Sequence, residues 1–476
     1  MVPVLASPLR EALKQKGIGP KGSKHLAPEL LREVLPLLGN PQTNRATAAA
    51  FWTACLLLDN SAEEQALLHP LLSQPQTTLL PELQALMNPR LMPGDAGDFL
   101  GIIHQVIHHQ DLSYAKAHQA MNYFWHDQIP DWIKGAFLQA ERVKRESLEE
   151  NLAFLESMWD QARRVEVNLP CLMELADSHD GTDRSYHLGV FVAPVLAAMG
   201  IPTLLNGSER QGPKYGITNA QLLKQAGVSS EFSLESIQAK LMHPQVGWGY
   251  VDKKVFFPKL ESLFQLREDI LKRPFLATFE KGMNPVLNRS GNILITGYVH
   301  AGYKEDLVRL LSFHNRNHLV VNMRTIEGST NCWLKKPTPY VGYVRQPKFQ
   351  DSERTPSPPL AALNLPLTDL CQLQGQAVFE GELIPEQFGL HRQDQGLVKE
   401  ITVEEMTREG ISALQGKEGL TQDSLLFHAA AFAWLGQRIS DPVTAVEQAR
   451  QAIRSGKAWA HWQAYGNTPS IINLRY

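Results

Sequence analysis

Residues 135–150 read GAFLQAERVKRESLEE, and 86 positions earlier residues 49–64 read AAFWTACLLLDNSAEE. The same offset, without a gap, matches Leu26 to Leu112, Ala50-Phe51 to Ala136-Phe137, Ala54 to Ala140, Ser61 to Ser147 and Glu63-Glu64 to Glu149-Glu150. In both stretches a face of small and aromatic residues is followed by Ser-x-Glu-Glu. That order predicts a helix, a turn and the capped start of a second helix, where serine and glutamate serve each other's backbone N–H. A register held from 25–64 to 111–150 reads as a duplicated helical unit; chance similarity of two amphipathic helices is the weaker explanation. Apolar residues at helical spacing in PELLREVLPLL, FLGIIHQVIHH and LEENLAFLESMWDQA extend the helical prediction over residues 8–165.

From residue 166 the texture changes. VEVNLPCLMELA, IPTLLNG, NILITGYV and HLVVNMR are short apolar runs bounded by Gly, Pro and Asn, as buried strands are. Helical patterns lie between them, in VFVAPVLAAMG, TNAQLLKQAG and KEDLVRLLSFHN. The fold class expected is α/β: an N-terminal all-helical region built on a duplicated unit, then an α/β domain with a central, largely parallel sheet. The divisions expected are 1–92 for an extra helical unit, 93–168 for a second helical domain and 169–476 for the α/β domain. The proline- and charge-rich stretch within 345–386 reads as a long loop, and the C-terminal segments SLLFHAAAFAWLGQ and DPVTAVEQARQAIRSGKAWAHW as helices.

Composition is that of a soluble globular chain, with 43% hydrophobic and 20% charged residues over 476 positions. No run approaches the roughly 20 apolar residues of a membrane span, and the N-terminus lacks the pattern of a signal peptide, so a cytoplasmic protein without membrane partners is expected. Cys55, Cys171, Cys332 and Cys371 form no CxxC pair, which points to neither a disulfide framework nor a cysteine zinc site. A net charge of −3 lacks the basic balance by which nucleic-acid binders neutralise phosphate.

Three stretches carry a resemblance. GAFLQAERVKRESLEE is similar to A-F-L-x-A-x-R-x-K-G-E-T-x-E-E, with Arg142, Lys144, Glu146 and Glu150 in place and Arg145 where glycine stands. LREDILKRPFLATFEKGMNP keeps the spacing from Arg267 through Arg273 to Asn284-Pro285, and AIRSGKA fits near the C-terminus. Over residues 96–476 the chain resembles the anthranilate phosphoribosyltransferase family, which shares a fold with the pyrimidine nucleoside phosphorylases. The resemblance implies a ligand cleft between helical and α/β domains, return of part of 236–285 to the helical domain, and a homodimer.

The substrate motifs depart from that pattern. The family's G-T-G-G-D loop for phosphoribosyl pyrophosphate aligns with Asp177–Gly181, its Lys-His-Gly-Asn with Leu205-Asn206-Gly207-Ser208, and its magnesium-holding Asp-Glu with Thr330-Asn331. Neutral oxygens replace carboxylates there, with Glu327 the nearby candidate for a metal ligand and Mg²⁺ the cofactor implied if a pyrophosphate donor is used. Arg267 stands where the family contacts the acceptor's carboxylate. TIEGS and EKGMNP are more similar to a divergent branch that includes dimeric nucleic-acid binders. Two functions follow: transfer of a pentose phosphate to an acceptor other than anthranilate, or non-catalytic binding of nucleic acid or a phosphorylated metabolite by a homodimer.

The loop DSHDGTDRSYHLG, Asp177–Gly189, holds the remaining candidates. Ser178, His179, Asp180, Gly181, Thr182, Arg184, Ser185 and His187, with Asn206, Gly207, Ser208 and Arg267, form the candidate substrate site. Against it stands an Asx-rich turn that only caps the following helix. In NGSERQGPKYG, Arg210 and Lys214 offer a second phosphate contact or an ordinary surface loop. His104 and His108 have metal-ligand spacing, though such pairs more often line an amphipathic face. RVKR, DKK and LKK offer a basic face, and Trp248, Tyr250 and Trp333 offer base stacking or packing.

Overall fold

The computed structural model describes residues 7–74, 78–312, 316–345, 377–394 and 401–467. The chain forms two compact units, Met1–Asp160 with Ser262–Phe279, and Gln161–Glu261 with Glu280–Tyr476. Residues 1–92 and 93–160 thus share one unit, and the returning segment is Ser262–Phe279, within 236–285.

In the helical unit the duplication is visible in three dimensions. Helices Pro8–Lys16, Pro28–Val34, Arg45–Leu57 and Ala62–Ser73 are followed by Gly94–Ile107, Tyr114–Phe124, Asp131–Lys144 and Leu148–Gln161. Each helix of the second set begins 86 residues after its counterpart: 8 and 94, 28 and 114, 45 and 131, 62 and 148. The third helices of the two copies pack against each other. Reciprocal bonds flank that contact. Gln139 Nε2 donates to the Gly17 carbonyl at 3.1 Å, and His109 Nε2 lies 2.9 Å from the Leu57 carbonyl. Each copy's chain, just past its first helix, therefore meets the third helix of the other copy, as in a two-fold pairing.

The predicted serine–glutamate cap forms in both copies. Glu64 N bonds to Ser61 Oγ at 3.2 Å and Ser61 N to Glu64 Oε2 at 2.7 Å; the Ser147–Glu150 distances are 3.3 and 2.6 Å. The same carboxylates accept the N–H of Leu26 at 2.8 Å and Leu112 at 2.7 Å, tying the start of each copy's second helix to the start of its fourth.

The α/β unit carries strands β1 (Val165–Val167), β2 (Met173–Ala176), β3 (Thr203–Gly207), β4 (Trp248–Asp252), β5 (Val286–Asn288), β6 (Asn292–Tyr298), β7 (Asn317–Arg324), β8 (Thr338–Val344) and β9 (Ala377–Leu383). β1 and β5 form a small parallel pair; the main sheet runs β4-β3-β2-β6-β7-β8-β9. Its pairs are parallel from β4 to β7 and antiparallel through β8 and β9. The parallel strands are buried almost throughout, as covered faces require. Helix Gly189–Ala198 is buried along its whole length.

Two stretches differ from the sequence reading. Residues 377–383, within the expected long loop, form β9, and residues 346–376, Cys371 among them, lie outside the described residues. WGYVD, not read as a strand, is β4. Trp248 stacks on Trp462 at 5.6 Å and on Tyr465 at 4.0 Å, fully buried, so it packs the core and offers no face to a base.

Candidate functional site

The loops at the C-terminal ends of β2, β3 and β7 converge, at the edge where open α/β sheets hold ligands. The loop after β2 is zipped to the loop after β3. Thr182 and Ile217 exchange backbone bonds of 2.9 and 2.7 Å, and Gly216 N bonds to the Asp180 carbonyl at 2.9 Å. Gly181, at φ +75°, lies against this seam, where an added Cβ would fall 2.5 Å from the Gly216 and Ile217 carbonyls. The one internal glycine of the loop is required by chain packing.

Glu327, on the loop after β7, sits among the donors of this seam. Its Oε1 accepts from Asp183 N at 3.0 Å and Lys214 Nζ at 2.7 Å; its Oε2 accepts from Arg184 N at 3.1 Å and Ser185 Oγ at 3.0 Å. Burial opposes its ionisation, but the bonds from Lys214 and the Asp183 N–H hold the carboxyl down at about 2. Burial and the neighbouring Glu327 push the Asp183 carboxyl up. Lys214 also bonds to the Gly181 carbonyl at 2.6 Å. Arg184 contributes its backbone; its guanidinium is largely exposed, 3.6 Å from Asp183.

This arrangement does not suit magnesium. Both Glu327 oxygens are taken by donors, and an ammonium group lies where a cation would. Thr330, in place of a carboxylate, is a neutral hydroxyl whose N and Oγ1 donate to Asp177 Oδ1 at 2.7 and 2.8 Å. Among the described residues no group of three His, Cys, Asp or Glu side chains is placed to hold a metal. The donors on both Glu327 oxygens thus argue against the metal-ligand role expected for it.

A second polar network runs beneath the loops. Buried Glu174 on β2 accepts from Asn206 at 2.9 Å, Asn284 at 2.7 Å and Asn292 at 3.0 Å. Burial raises its carboxyl to about 7, against the lowering effect of those three amides. Asn206 in turn meets His179 Nε2 at 2.9 Å, and His179 Nδ1 lies 3.8 Å from Glu280. Gln211 Nε2 bonds to Glu280 at 3.0 Å and Lys253 Nζ to Gln211 Oε1 at 2.5 Å. Ser208 Oγ is 3.4 Å from Gln211 Oε1, and Gly207 passes close to the Tyr250 hydroxyl.

The structure thus brings together Ser178, His179, Asp180, Gly181, Thr182, Ser185, His187, Asn206, Gly207 and Ser208, with the backbone of Arg184. Ser178 Oγ donates to the Gly328 carbonyl at 3.3 Å, and His187 Nε2 lies 3.8 Å from Asp177. Burial lowers the His187 imidazole below its ordinary value, against the raising effect of nearby Asp177. Arg267 belongs to the helical unit, buried in helix Phe264–Ile270. Glu174 escaped the sequence reading, and Gln211, Lys253 and Glu280 were read only within NGSERQGPKYG, DKK and EKGMNP and not as site residues; the usable signal was a glutamate inside the apolar run PCLMELA. A cavity of about 330 Å³ lined by Tyr340, Phe379 and Trp434 includes none of these residues.

Of the basic segments, the side chains of Lys144 and Lys253 are buried in ion pairs, whereas Lys335 and Lys336 are exposed. Lys144 bonds to Glu150 at 2.6 Å and Asp111 at 2.8 Å, and Lys253 is buried beside Glu261. Lys335 pairs with Asp394 at 2.6 Å, and Lys336 lies over the Trp333 ring. His104 and His108 face each other, Nε2 to Nε2 at 3.3 Å.

A family model described as the glycosyl transferase family, helical bundle domain, matches residues 100–162, which lie in the second helical copy. An anthranilate phosphoribosyltransferase of Synechococcus sp. is 24% identical over 373 residues, covering 77% of this chain and 96% of the relative. The chain thus resembles the anthranilate phosphoribosyltransferases in sequence over about three quarters of its length. A similar fold is seen in anthranilate phosphoribosyltransferase from Saccharomyces cerevisiae in complex with PRPP and Mg, at a TM-score of 0.62 and 13% identity, over 80% of this chain and 99% of that one. The Thermus thermophilus enzyme superposes with a TM-score of 0.58 at 19% identity, over 76% and 98%. Among the described residues no helix is long and apolar enough to cross a membrane.

Proposed function

We propose that the chain is a divergent phosphoribosyltransferase-type protein that transfers a pentose phosphate to an acceptor other than anthranilate. Its relatives are phosphoribosyltransferases by name, and one neighbour in fold was solved with phosphoribosyl pyrophosphate and magnesium. The observation that carries the reading is the set of donors around Glu327: two backbone N–H groups, a hydroxyl and a lysine. A phosphate needs such donors, and here they stand at the ends of parallel strands.

The acceptor differs because the acceptor-loop lysine is Leu205, and Asn206 is bound between Glu174 and His179. Charge on the departing pyrophosphate is met by Lys214, Ser185 Oγ and the two N–H groups once Glu327 has left them. His187, buried in the same loop with Nε2 3.8 Å from Asp177, is the candidate base.

Titration of the full chain with phosphoribosyl pyrophosphate and ribose 5-phosphate tests this reading. Saturable binding is expected, weakened strongly by Lys214→Ala. No heat and no rise in melting temperature at millimolar ligand would remove the reading. Binding of single-stranded DNA that falls steeply with salt would then favour the nucleic-acid homodimer.

A further inference from the structure

We infer that the Asp183 and Arg184 N–H groups, the Ser185 hydroxyl and Lys214 Nζ form a phosphate subsite occupied by the chain's own Glu327, which a phosphorylated ligand must displace. This deepens the proposed function and rests on it. A carboxylate and a phosphate both offer an anion with acceptor oxygens to charged and backbone donors, so one set of donors can serve either. Here four donors at 2.7–3.1 Å converge on two oxygens.

The contrast with Glu64 and Glu150 separates this carboxylate from a helix joint. Those two close the capping boxes of their own helices, three residues from their serines. Glu327 caps no helix, and its Asp183, Arg184 and Ser185 partners lie on a loop more than 140 residues away in sequence. Two of them are consecutive N–H groups, the arrangement that binds anions in loops. Lys214 retains some solvent exposure, 15%, against 3% for Glu327, which gives the cradle an open edge.

Exchange does not require the loop to unfold. Thr325 N bonds to the Tyr298 carbonyl before Glu327, and after it Ser178 Oγ and Lys281 Nζ bond to the Gly328 carbonyl and Asp177 holds Thr330, so the backbone on either side of the exchange stays clasped. The Glu327 side chain has only to rotate about its own bonds. Gly328, at φ +69°, turns the chain immediately after it.

Inorganic phosphate is the probe, read by isothermal titration of the full chain. Glu327→Ala is expected to bind phosphate about tenfold or more tighter than wild type, because the competing anion is gone. Acetate, which restores the excised carboxylate, should compete with phosphate in this variant, and Lys214→Ala added to it should abolish the gain. Glu327→Gln, which keeps the volume but loses the charge, should fall between.

A folded Glu327→Ala protein with wild-type phosphate affinity overturns the inference. If Glu327→Ala does not fold, recovery with acetate or phosphate but not with chloride supports it, and no recovery overturns it. The outcomes separate the two proposals. Tight phosphate binding by the variant, with no sugar phosphate bound by either protein, keeps the subsite and removes the transferase reading. Sugar phosphate bound equally by both proteins keeps the transferase reading and removes the subsite's competition.

Discussion

The two copies of the helical unit keep one carboxylate and exchange its cation. Glu64 is met by Lys16, at the end of the first helix of its copy, at 3.0 Å. Glu150 is met by Lys144, at the end of the third helix of its copy, at 2.6 Å. The counterpart of Lys16 is Ile102 and that of Lys144 is Leu58. What was held through divergence is the joint between the second and fourth helices and the neutralisation of its charge. The position supplying that charge was free to move, because several side chains end near the same buried point.

The surroundings of the two cations differ, and this sets the largest expected effect. Lys144 also lies 2.8 Å from Asp111 and 3.6 Å from Glu141. The counterpart of Glu141 is Cys55, whose buried thiol is pushed up to about 12 by burial. Removing Glu64 leaves a fully buried lysine with the Asp59 carbonyl at 3.0 Å. Removing Glu150 leaves Lys144 with Asp111 and with Glu141, whose carboxyl burial pushes well above its ordinary value. Breaking a buried pair costs about 3–5 kcal/mol, so Glu64→Ala should lie in that range and Glu150→Ala below it, by denaturant unfolding. Equal losses would mean that the backbone bonds, and not the cations, dominate both joints.

Moving the lysine sharpens the same comparison. Lys16→Met should lose about 2 kcal/mol or more, since Glu64 keeps its backbone donors but loses its buried cation. Adding Leu58→Lys, at the counterpart of Lys144, should recover part of that loss. No recovery would mean that the extended backbone at Leu58, φ −99° and ψ 150°, cannot direct a lysine as the helical end at Lys144 does.

The units also differ in response to pH. The backbone bonds from Leu26 and Ser61, with His25 and Lys16, overcome burial and hold the Glu64 carboxyl below its ordinary value of 4.5. Its contribution is present above that value and is lost as pH falls below it. In the α/β unit, burial lowers His428 from 6.5 to about 4, against its bond to the Ser424 carbonyl. The unfolded chain takes that proton first, so this contribution is lost as pH falls from 6.5 through 4. Glu174, raised from 4.5 to about 7, works in the other direction: its contribution is present below 4.5 and lost as pH rises through 7. Melting followed from pH 4 to 8 should show Glu174→Gln removing the loss on the alkaline side and His428→Gln the loss on the acid side. Profiles unchanged by both would show these groups solvated.

The helical joint was legible because its chemistry is local. Ser-x-Glu-Glu is a motif, and a gap-free offset shows it twice. The strands beside Gly, Pro and Asn were legible for the same reason, whereas β4 was missed because Gly249 and Asp252 break WGYVD as an apolar run. At the candidate site, the loop was found from its place between a strand and a helix. The role of Glu327 was not, because two of its partners are backbone N–H groups and carry no letter of their own. Lys214 was visible as a basic residue among glycines, but nothing in NGSERQGPKYG places it 2.7 Å from a glutamate 113 positions on.

The smallest effect is the most direct measure of how alike the copies remain. Ser61 Oγ and Ser147 Oγ each accept one N–H, at 3.2 and 3.3 Å, at the same point of the two fourth helices. Replacing a capping serine by alanine costs about 1 kcal/mol, so Ser61→Ala and Ser147→Ala should lose that much each and equally. The double variant should lose their sum, because the serines share no partner and belong to separate joints. A larger loss at Ser147 would place the cap within the acidic surroundings of Glu141 and Glu146. There the serine would help hold Glu150 against its neighbours, and the two joints, alike in geometry, would have diverged in energy.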